Sequence, residues 1–280
     1  MKPHLKITCV VPWFGTCRGQ TAQRVGQLLE GCDWVGIPFC GGASEVPWIT
    51  ARQIALNDLH RNVINLLKVL SNESLRDAMA EDLARHYVAL HPDILDQCRK
   101  LLADPNSTKT ARAISYFLQS WMTRSGVCGT DKESEGGIAT RYTASGGGSL
   151  KRLQSAIDGV EEWGRILQGR CEFTCLESSV LLRAKYVDRP THGIYLDPPW
   201  LEDGENYQHK FYPREHRSMR GLLERFKQSR VIVRHKDCPE YRDLYSGPEW
   251  TWIELTTRNQ GNNAVHEVLI CRNLPEGMTP

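Results

Sequence analysis

The run Ile194-Tyr195-Leu196 stops at Asp197-Pro198-Pro199-Trp200, and this junction constrains the chain more than any other stretch. The three apolar residues, β-branched or aromatic in part, read as a buried strand. Neither proline can donate a ladder hydrogen bond, so the strand has to end where they begin. A carboxylate, two ring-stiffened peptides and a broad aromatic plane are therefore expected at the end of a parallel strand. In open α/β sheets that is the end where ligands bind. The plainer alternative is a turn with an aromatic packed behind it.

The remaining pattern alternates strand and helix. Val10-Val11 breaks at Pro12 and leads into Trp13-Phe14-Gly15-Thr16-Cys17-Arg18, after which residues 20–29 have amphipathic helical spacing. Residues 34–37 read as a strand that runs into Pro38-Phe39-Cys40-Gly41-Gly42, a turn in which glycines let the backbone come close to a nucleoside. It is not the Gly-x-Gly-x-x-Gly pattern, so a nicotinamide dinucleotide is not favoured. Residues 52–56 read as a second strand, closed by Asn57-Asp58. Either residue can cap the helix that follows, and an acid at this position can instead bind ribose hydroxyls. From Glu73 to Trp121 the pattern is helical, broken at His91-Pro92 and Asp104-Pro105, with Tyr116, Phe117 and Trp121 expected in a core. Residues 124–149 are glycine-rich and irregular, either a flexible linker or a functional loop. A helix over 153–167 and strands over 171–175 and 194–197 follow, then a polar loop over 201–212 and a basic helix over 213–227. A strand at 231–233, a short helix at 239–245 and a terminal hairpin of 250–255 with 265–272 complete the pattern. The expected fold class is α/β with a mostly parallel sheet, one antiparallel pairing at its end and a helical insertion. The expected division is 1–70, 71–149 and 150–280.

Composition excludes some classes. No run of about 18 apolar residues exists, so no membrane span is expected, and the N-terminus lacks a signal-peptide core, which points to a cytosolic protein. The ten cysteines are scattered with no Cys-x-x-Cys pair, so core thiols are expected and a metal site is not. The formal charge of +2 implies no partner, but its distribution is uneven. Residues 71–106 hold seven acids against four Lys/Arg, whereas 210–236 hold nine Lys/Arg against Glu215 and Glu224. The basic stretch (Lys210, Arg214, Arg217, Arg220, Arg225, Lys227, Arg230, Arg234, Lys236) suits a polyanion, unless it is an ordinary solvated helix face.

The order of these parts resembles the Dam-type DNA adenine methyltransferases, particularly their phage-borne branch. The likeness rests on Trp13-Phe14-Gly15, Pro38-Phe39-x-Gly41-Gly42, Asn57-Asp58, Arg141-Tyr142-Thr143-Ala144 before a triple glycine, Asp197-Pro198-Pro199-Trp200, and His266-Glu267-Val268-Leu269. It covers both ends of the chain and the middle loop, and the acidic helical block only loosely. It implies a Rossmann-like methyltransferase fold with S-adenosylmethionine as cofactor and double-stranded DNA as partner. The cofactor residues it implies are Trp13, Phe14, Gly15, Arg18, Pro38, Phe39, Gly41, Gly42 and Asp58, with Glu177 near the adenine. Asp197, Pro198, Pro199 and Trp200 would hold the target base. Arg141, Tyr142, Lys210, Arg214, Arg217 and Arg220 would contact DNA. The chain departs from the family where Thr16-Cys17 stands for Gly-Lys, where Ile37 stands for an acid, and where Trp200 stands for tyrosine.

The implied chemistry is transfer of a methyl group to the exocyclic amine of a flipped-out adenine. That amine is a poor nucleophile, and Asp197 with the Pro198 carbonyl can accept its hydrogens while Trp200 stacks on the ring. Two rivals remain: an RNA adenine methyltransferase, and a methyltransferase-like module that grips DNA without catalysis.

Overall fold

The apolar runs at 34–37, 52–56, 194–197, 231–233 and 265–272 become strands, whereas the β-prone Val10-Val11 does not. The computed structural model describes residues 7–17, 19–86, 90–123, 127–139, 148–184, 187–258 and 263–278. The chain is α/β with a seven-stranded mixed sheet. It divides into two compact units that interleave along the sequence, where the sequence reading drew consecutive parts. The first comprises Met1–Thr16, Gly41–Pro47 and His60–Cys175; the second comprises Cys17–Cys40, Trp48–Leu59 and Leu176–Pro280.

The second unit holds α1 (Gly19–Leu28), β1 (Trp34–Ile37) and β2 (Gln53–Asn57) from the N-terminal part of the chain. In the first unit follow α2 (Arg61–Ser71), α3 (Glu73–His86), α4 (Pro92–Ala103), α5 (Lys109–Met122), α6 (Ser149–Asp158), α7 (Val160–Leu167) and β3 (Cys171–Thr174). The second unit resumes with α8 (Ser178–Arg183), β4 (His192–Leu196), α9 (Pro213–Leu223), β5 (Arg230–Lys236), α10 (Pro239–Leu244), β6 (Thr251–Arg258) and β7 (Ala264–Arg272).

In the second unit β1 pairs in parallel with β2 on one side and with β4 on the other, and β4 pairs in parallel with β5. The chain therefore leaves β1 in one direction and returns at β4 in the other. The carboxyl ends of these two strands flank a topological switch point, the place where open α/β sheets form a ligand crevice. Ile37 leads there into Pro38-Phe39, and Leu196 leads into Asp197-Pro198. The core beneath is built from Ile194, Leu196, Val231, Val233, Val268 and Ile270, each fully buried.

Two antiparallel pairings replace the single one expected. β7 lies between β5 and β6 and runs antiparallel to both. The cause is in the strand sequences. Val268-Leu269-Ile270-Cys271 is a continuous apolar run that is buried throughout, so it takes the inner position. β6 carries Glu254, Thr256 and Arg258 among its apolar residues, which suits an edge.

The first unit is helical around α5, whose residues from Ala113 to Met122 are all buried, Tyr116, Phe117 and Trp121 among them. α2 and α4 pack against it. The expected breaks at His91-Pro92 and Asp104-Pro105 separate α3, α4 and α5, and His91 caps α4 through Nδ1. Two local expectations change. The helix expected over 153–167 is two helices, α6 and α7, meeting at Gly159. The cap of α2 is neither Asn57 nor Asp58 but His60, whose Nδ1 accepts from the Val63 N–H at 3.4 Å. No helix among the described residues is long and apolar enough to cross a membrane.

Candidate functional site

The residues expected at a site divide between the two units, and each group has its own geometry. Asp197, Pro198, Pro199, Trp200, Pro38, Phe39, Asp58 and Glu177 belong to the second unit. Trp13, Phe14, Gly15, Gly41 and Gly42 belong to the first. Arg18, Arg141 and Tyr142 lie outside the described residues.

In the second unit the ends of β1 and β2 and the segment before α8 are tied together by Asn57. Its Nδ2 donates to the Pro38 carbonyl at 3.0 Å and to the Leu176 carbonyl at 2.9 Å, while its Oδ1 accepts from the Leu176 N–H at 3.0 Å. One amide thus fixes the turn after β1 and the entry to α8 in place of capping a helix. Asp58 follows it, partly exposed, and Glu177 stands exposed at the N-cap of α8.

Asp197 is held from below by β5. Its Oδ2 accepts from Arg234 Nη1 at 2.7 Å and from the Tyr195 hydroxyl at 3.4 Å. The other edge of the guanidinium forks onto Glu267 of β7, with Nε to Oε2 and Nη2 to Oε1 both at 2.9 Å. The Thr257 hydroxyl adds a 2.8 Å bond to Glu267 Oε1. The guanidinium also lies 5.1 Å from the centre of the Trp200 ring, a cation–π contact. Burial pushes the Asp197 carboxyl above the usual carboxylate range, and the adjacent Arg234 charge opposes that rise. Burial works against the Arg234 charge too, but the Asp197 and Glu267 carboxylates raise its pKa well above normal.

The loop after Trp200 is anchored by aromatic residues. The Leu201 N–H donates to His235 Nε2 at 3.0 Å, and His235 Nδ1 lies 2.8 Å from the Lys236 carbonyl, so this ring carries its proton on Nδ1. His235 stacks on Tyr241 at 3.5 Å, and the Tyr241 hydroxyl lies 2.6 Å from His216 Nδ1. Burial pushes His235 down to about 4 and His216 down to about 3, so both are neutral at physiological pH. Phe211 closes the loop edge-on against His216 at 4.6 Å and against Phe39 at 5.4 Å. Within the loop, burial and the carboxylates of Asp197, Asp203 and Asp58 push the Tyr207 phenol far up, which keeps it a neutral hydrogen-bonding group.

The glycines of the first unit stand against the protein's own side chains and backbone. A Cβ on Gly41 would sit 2.8 Å from Trp13 Cδ1, and one on Gly129 would sit 2.4 Å from Trp13 Cζ2. Both glycines have positive φ, +41° and +82°. On Gly42 a Cβ would meet the Val11 carbonyl at 2.6 Å. These positions accommodate the protein's own indole and backbone. Trp13 further meets His60 edge-on at 5.3 Å, and His60 Nε2 lies 2.9 Å from Glu133 Oε2, which also accepts from the Gly129 N–H at 3.0 Å. Phe14 is partly exposed and Gly15 exposed, with a φ of +71°.

The basic stretch is not one continuous surface: two of its nine cations are buried, two are half-buried and five are exposed. Arg230 is buried and donates to the Leu28 and Glu30 carbonyls, and Arg234 is buried in the ion cluster above. Arg220, expected on DNA, keeps 13% of its side-chain exposure. It bonds Glu224 at 3.0 Å, Glu249 at 3.2 Å and the Leu244 carbonyl at 3.2 Å, and lies over the Trp250 ring. Lys210, Arg214, Arg217, Arg225 and Lys227 are exposed, with Arg214 paired to its neighbour Glu215.

The sequence reading did not place Arg234, Glu267, Tyr195 or His235 beside Asp197 and Trp200; Arg234 was expected on phosphates and Tyr207, within 206–211, in reading the DNA sequence. The signal available for Arg234 and Glu267 was a charge embedded in an apolar strand, which demands a buried counter-charge. Among the described residues no group of three or more His, Cys, Asp or Glu is placed to hold a metal ion. The residues present fit a nucleoside on the evidence of their chemistry: a carboxylate at Asp58 for hydroxyls, and an aromatic edge at Phe39. They do not supply an acid for an amino-acid moiety at position 37, since Ile37 is fully buried. In comparisons with known proteins, no family model and no curated sequence matches this chain.

Proposed function

We propose that the chain is a site-specific DNA methyltransferase that moves a methyl group from S-adenosylmethionine to the exocyclic amine of a flipped-out adenine. The observation that carries this reading is Asp197-Pro198-Pro199-Trp200 at the carboxyl end of β4, across a topological switch point from Pro38-Phe39. The strand order β2-β1-β4-β5-β7-β6, parallel up to β5 and antiparallel at its end, supports the Rossmann-like methyltransferase fold that the resemblance implies.

Asp58 and Phe39 would hold the nucleoside part of the cofactor. When bound, S-adenosylmethionine supplies a methyl group already activated on a sulfonium. The work left to the protein is orientation and electrostatics. As the amine nitrogen bonded the methyl carbon, the carbon–sulfur bond would break to leave a neutral thioether, the nitrogen would gain positive charge, and one of its hydrogens would then pass to water as a proton. Asp197 and the Pro198 carbonyl accept hydrogen bonds from the amine and stabilise that charge. Prolines hold both acceptors at little entropic cost. Trp200 offers a ring for the flipped base, and Lys210, Arg214 and Arg217 offer exposed cations for phosphates.

The test is calorimetric titration of the protein with S-adenosylmethionine, followed by mapping of methylated adenines in DNA from cells that express it. Asp197→Ala is expected to keep cofactor binding and to lose at least about 100-fold in transfer rate. An absence of binding heat at millimolar cofactor would favour the silent DNA-binding module. Methylation confined to RNA would move the reading to the RNA enzyme.

A further inference from the structure

Three buried charges meet behind the Asp-Pro-Pro-Trp turn, and their arrangement gives Arg234 a role beyond balancing charge. The guanidinium is a rigid plane with a fixed fork. Its Nε and Nη2 are committed to Glu267 at 2.9 Å each, and Glu267 is itself pinned by Thr257 at 2.8 Å. The remaining nitrogen, Nη1, is thereby aimed at Asp197 Oδ2 at 2.7 Å. The Tyr195 hydroxyl points at the same oxygen, at 3.4 Å. Both of these hydrogen bonds to the carboxylate fall on Oδ2 and neither on Oδ1. The same guanidinium lies 5.1 Å from the centre of the Trp200 ring and supports one face of it.

We propose that Arg234 is the positioning residue of this site: through its fork on Glu267 it orients Asp197 so that Oδ1 meets the substrate amine, and it backs Trp200 for stacking of the base. This deepens the methyltransferase reading and rests on it. Two carboxylates and one guanidinium leave the cluster with a net charge of minus one. That is the sign needed beside an amine nitrogen becoming positive. A neutral residue at 234 would leave two carboxylates facing each other without a counter-charge, and Asp197 would more readily take up a proton and stop accepting. The electrostatic surroundings of Asp197 comprise Arg234 and Glu267 from β5 and β7, Tyr195 from β4, Tyr207 from the loop, and Tyr241 from α10. Of these, Arg234 lowers the Asp197 pKa and Glu267 raises it.

The experiment compares the pH dependence of turnover for the wild type, Arg234→Gln, Arg234→Lys and Glu267→Gln, with cofactor affinity measured alongside. Arg234→Gln is expected to lower kcat at least tenfold with cofactor affinity kept within about twofold, and to move the acid limb to higher pH. Glu267→Gln should move that limb to lower pH, and Arg234→Lys should restore its position while recovering only part of the rate, because lysine lacks the fork. These opposite shifts together with the loss of kcat at unchanged cofactor affinity are the signature, since a residue that served folding alone would leave kcat of the folded variant at its optimum pH unchanged. Should Arg234→Gln fail to fold, Glu267→Gln keeps the test, as it preserves shape and changes one charge. Titration of a carbon-13-labelled Asp197 carboxyl in the cofactor-free protein reads the same shifts without turnover. A folded Arg234→Gln with wild-type rate and an unmoved acid limb would overturn the proposal. A wild type that titrates as expected but never methylates would overturn the methyltransferase reading instead.

Discussion

Pro12-Trp13 and Pro199-Trp200 read alike in the sequence, yet the two indoles sit in opposite kinds of surroundings. Trp13 is wedged by geometry: glycines at 41 and 129 leave room that any side chain would take. Trp200 is held by charge: a guanidinium lies over its ring, and a neutral imidazole fixes the peptide after it. The first environment is sensitive to volume and the second to protonation. A proline followed by tryptophan thus shows where an aromatic leaves a strand, and says nothing of whether packing or electrostatics will receive it.

The strongest way to break this contrast is to remove the charge that backs Trp200. Arg234→Met leaves Asp197 and Glu267 buried without their counter-ion and is expected to cost about 3–5 kcal/mol in denaturant unfolding. A neutral outcome there would mean that the Trp200 environment is not electrostatic in origin. Next in size is the corresponding test on the other indole. Gly129→Ala brings a Cβ within 2.4 Å of the Trp13 ring at a φ of +82°. Overpacking and strain together should cost about 2–3 kcal/mol, read as a lowered melting temperature.

Acid should separate the two regions by protonation alone. His235 and His216 titrate at about 4 and about 3 in the folded chain, below the value near 6.5 of an unperturbed imidazole. Between these limits the unfolded chain binds more protons than the native one, so this contribution to stability is complete above about pH 6.5 and is lost as pH falls toward 4. Replacing His235 and His216 together by glutamine should flatten that part of the stability profile, as followed by denaturant unfolding at several pH values. The smallest effect is expected at the exposed cations. Arg217→Ala should change stability by no more than about 0.5 kcal/mol and, on the proposed function, reduce the salt slope of DNA binding by about one. An Arg220→Ala variant should instead weaken the fold, because its partners Glu224, Glu249 and Leu244 are internal to the chain.

Much of this architecture was legible from local pattern. The strands at β1, β4 and β7 follow from short apolar runs, and the breaks at His91-Pro92 and Asp104-Pro105 follow from what proline forbids. The place of Asp197 at a strand end followed from the two prolines after it. Other features were not legible, because they depend on which residue faces which across strands. Asn57 offers an amide that can cap a helix, and only the neighbouring turns decided that it ties Pro38 to Leu176 instead. Arg220, Arg230 and Arg234 count alike in a charge run, but burial turned all three inward.

By itself the sequence determined which apolar runs would form the core strands, which residues must avoid water, and that a carboxylate and an indole would leave β4 together. Those outcomes depend on hydrogen-bond capacity and apolar spacing, which are properties of neighbouring residues. The tertiary structure alone decided the partners: β7 inserted between β5 and β6, Glu267 brought to Arg234, and Arg234 brought to Asp197 and Trp200. Such pairings are set by strand order and register, because charges in an apolar interior are stable only where the fold brings an opposite charge to meet them.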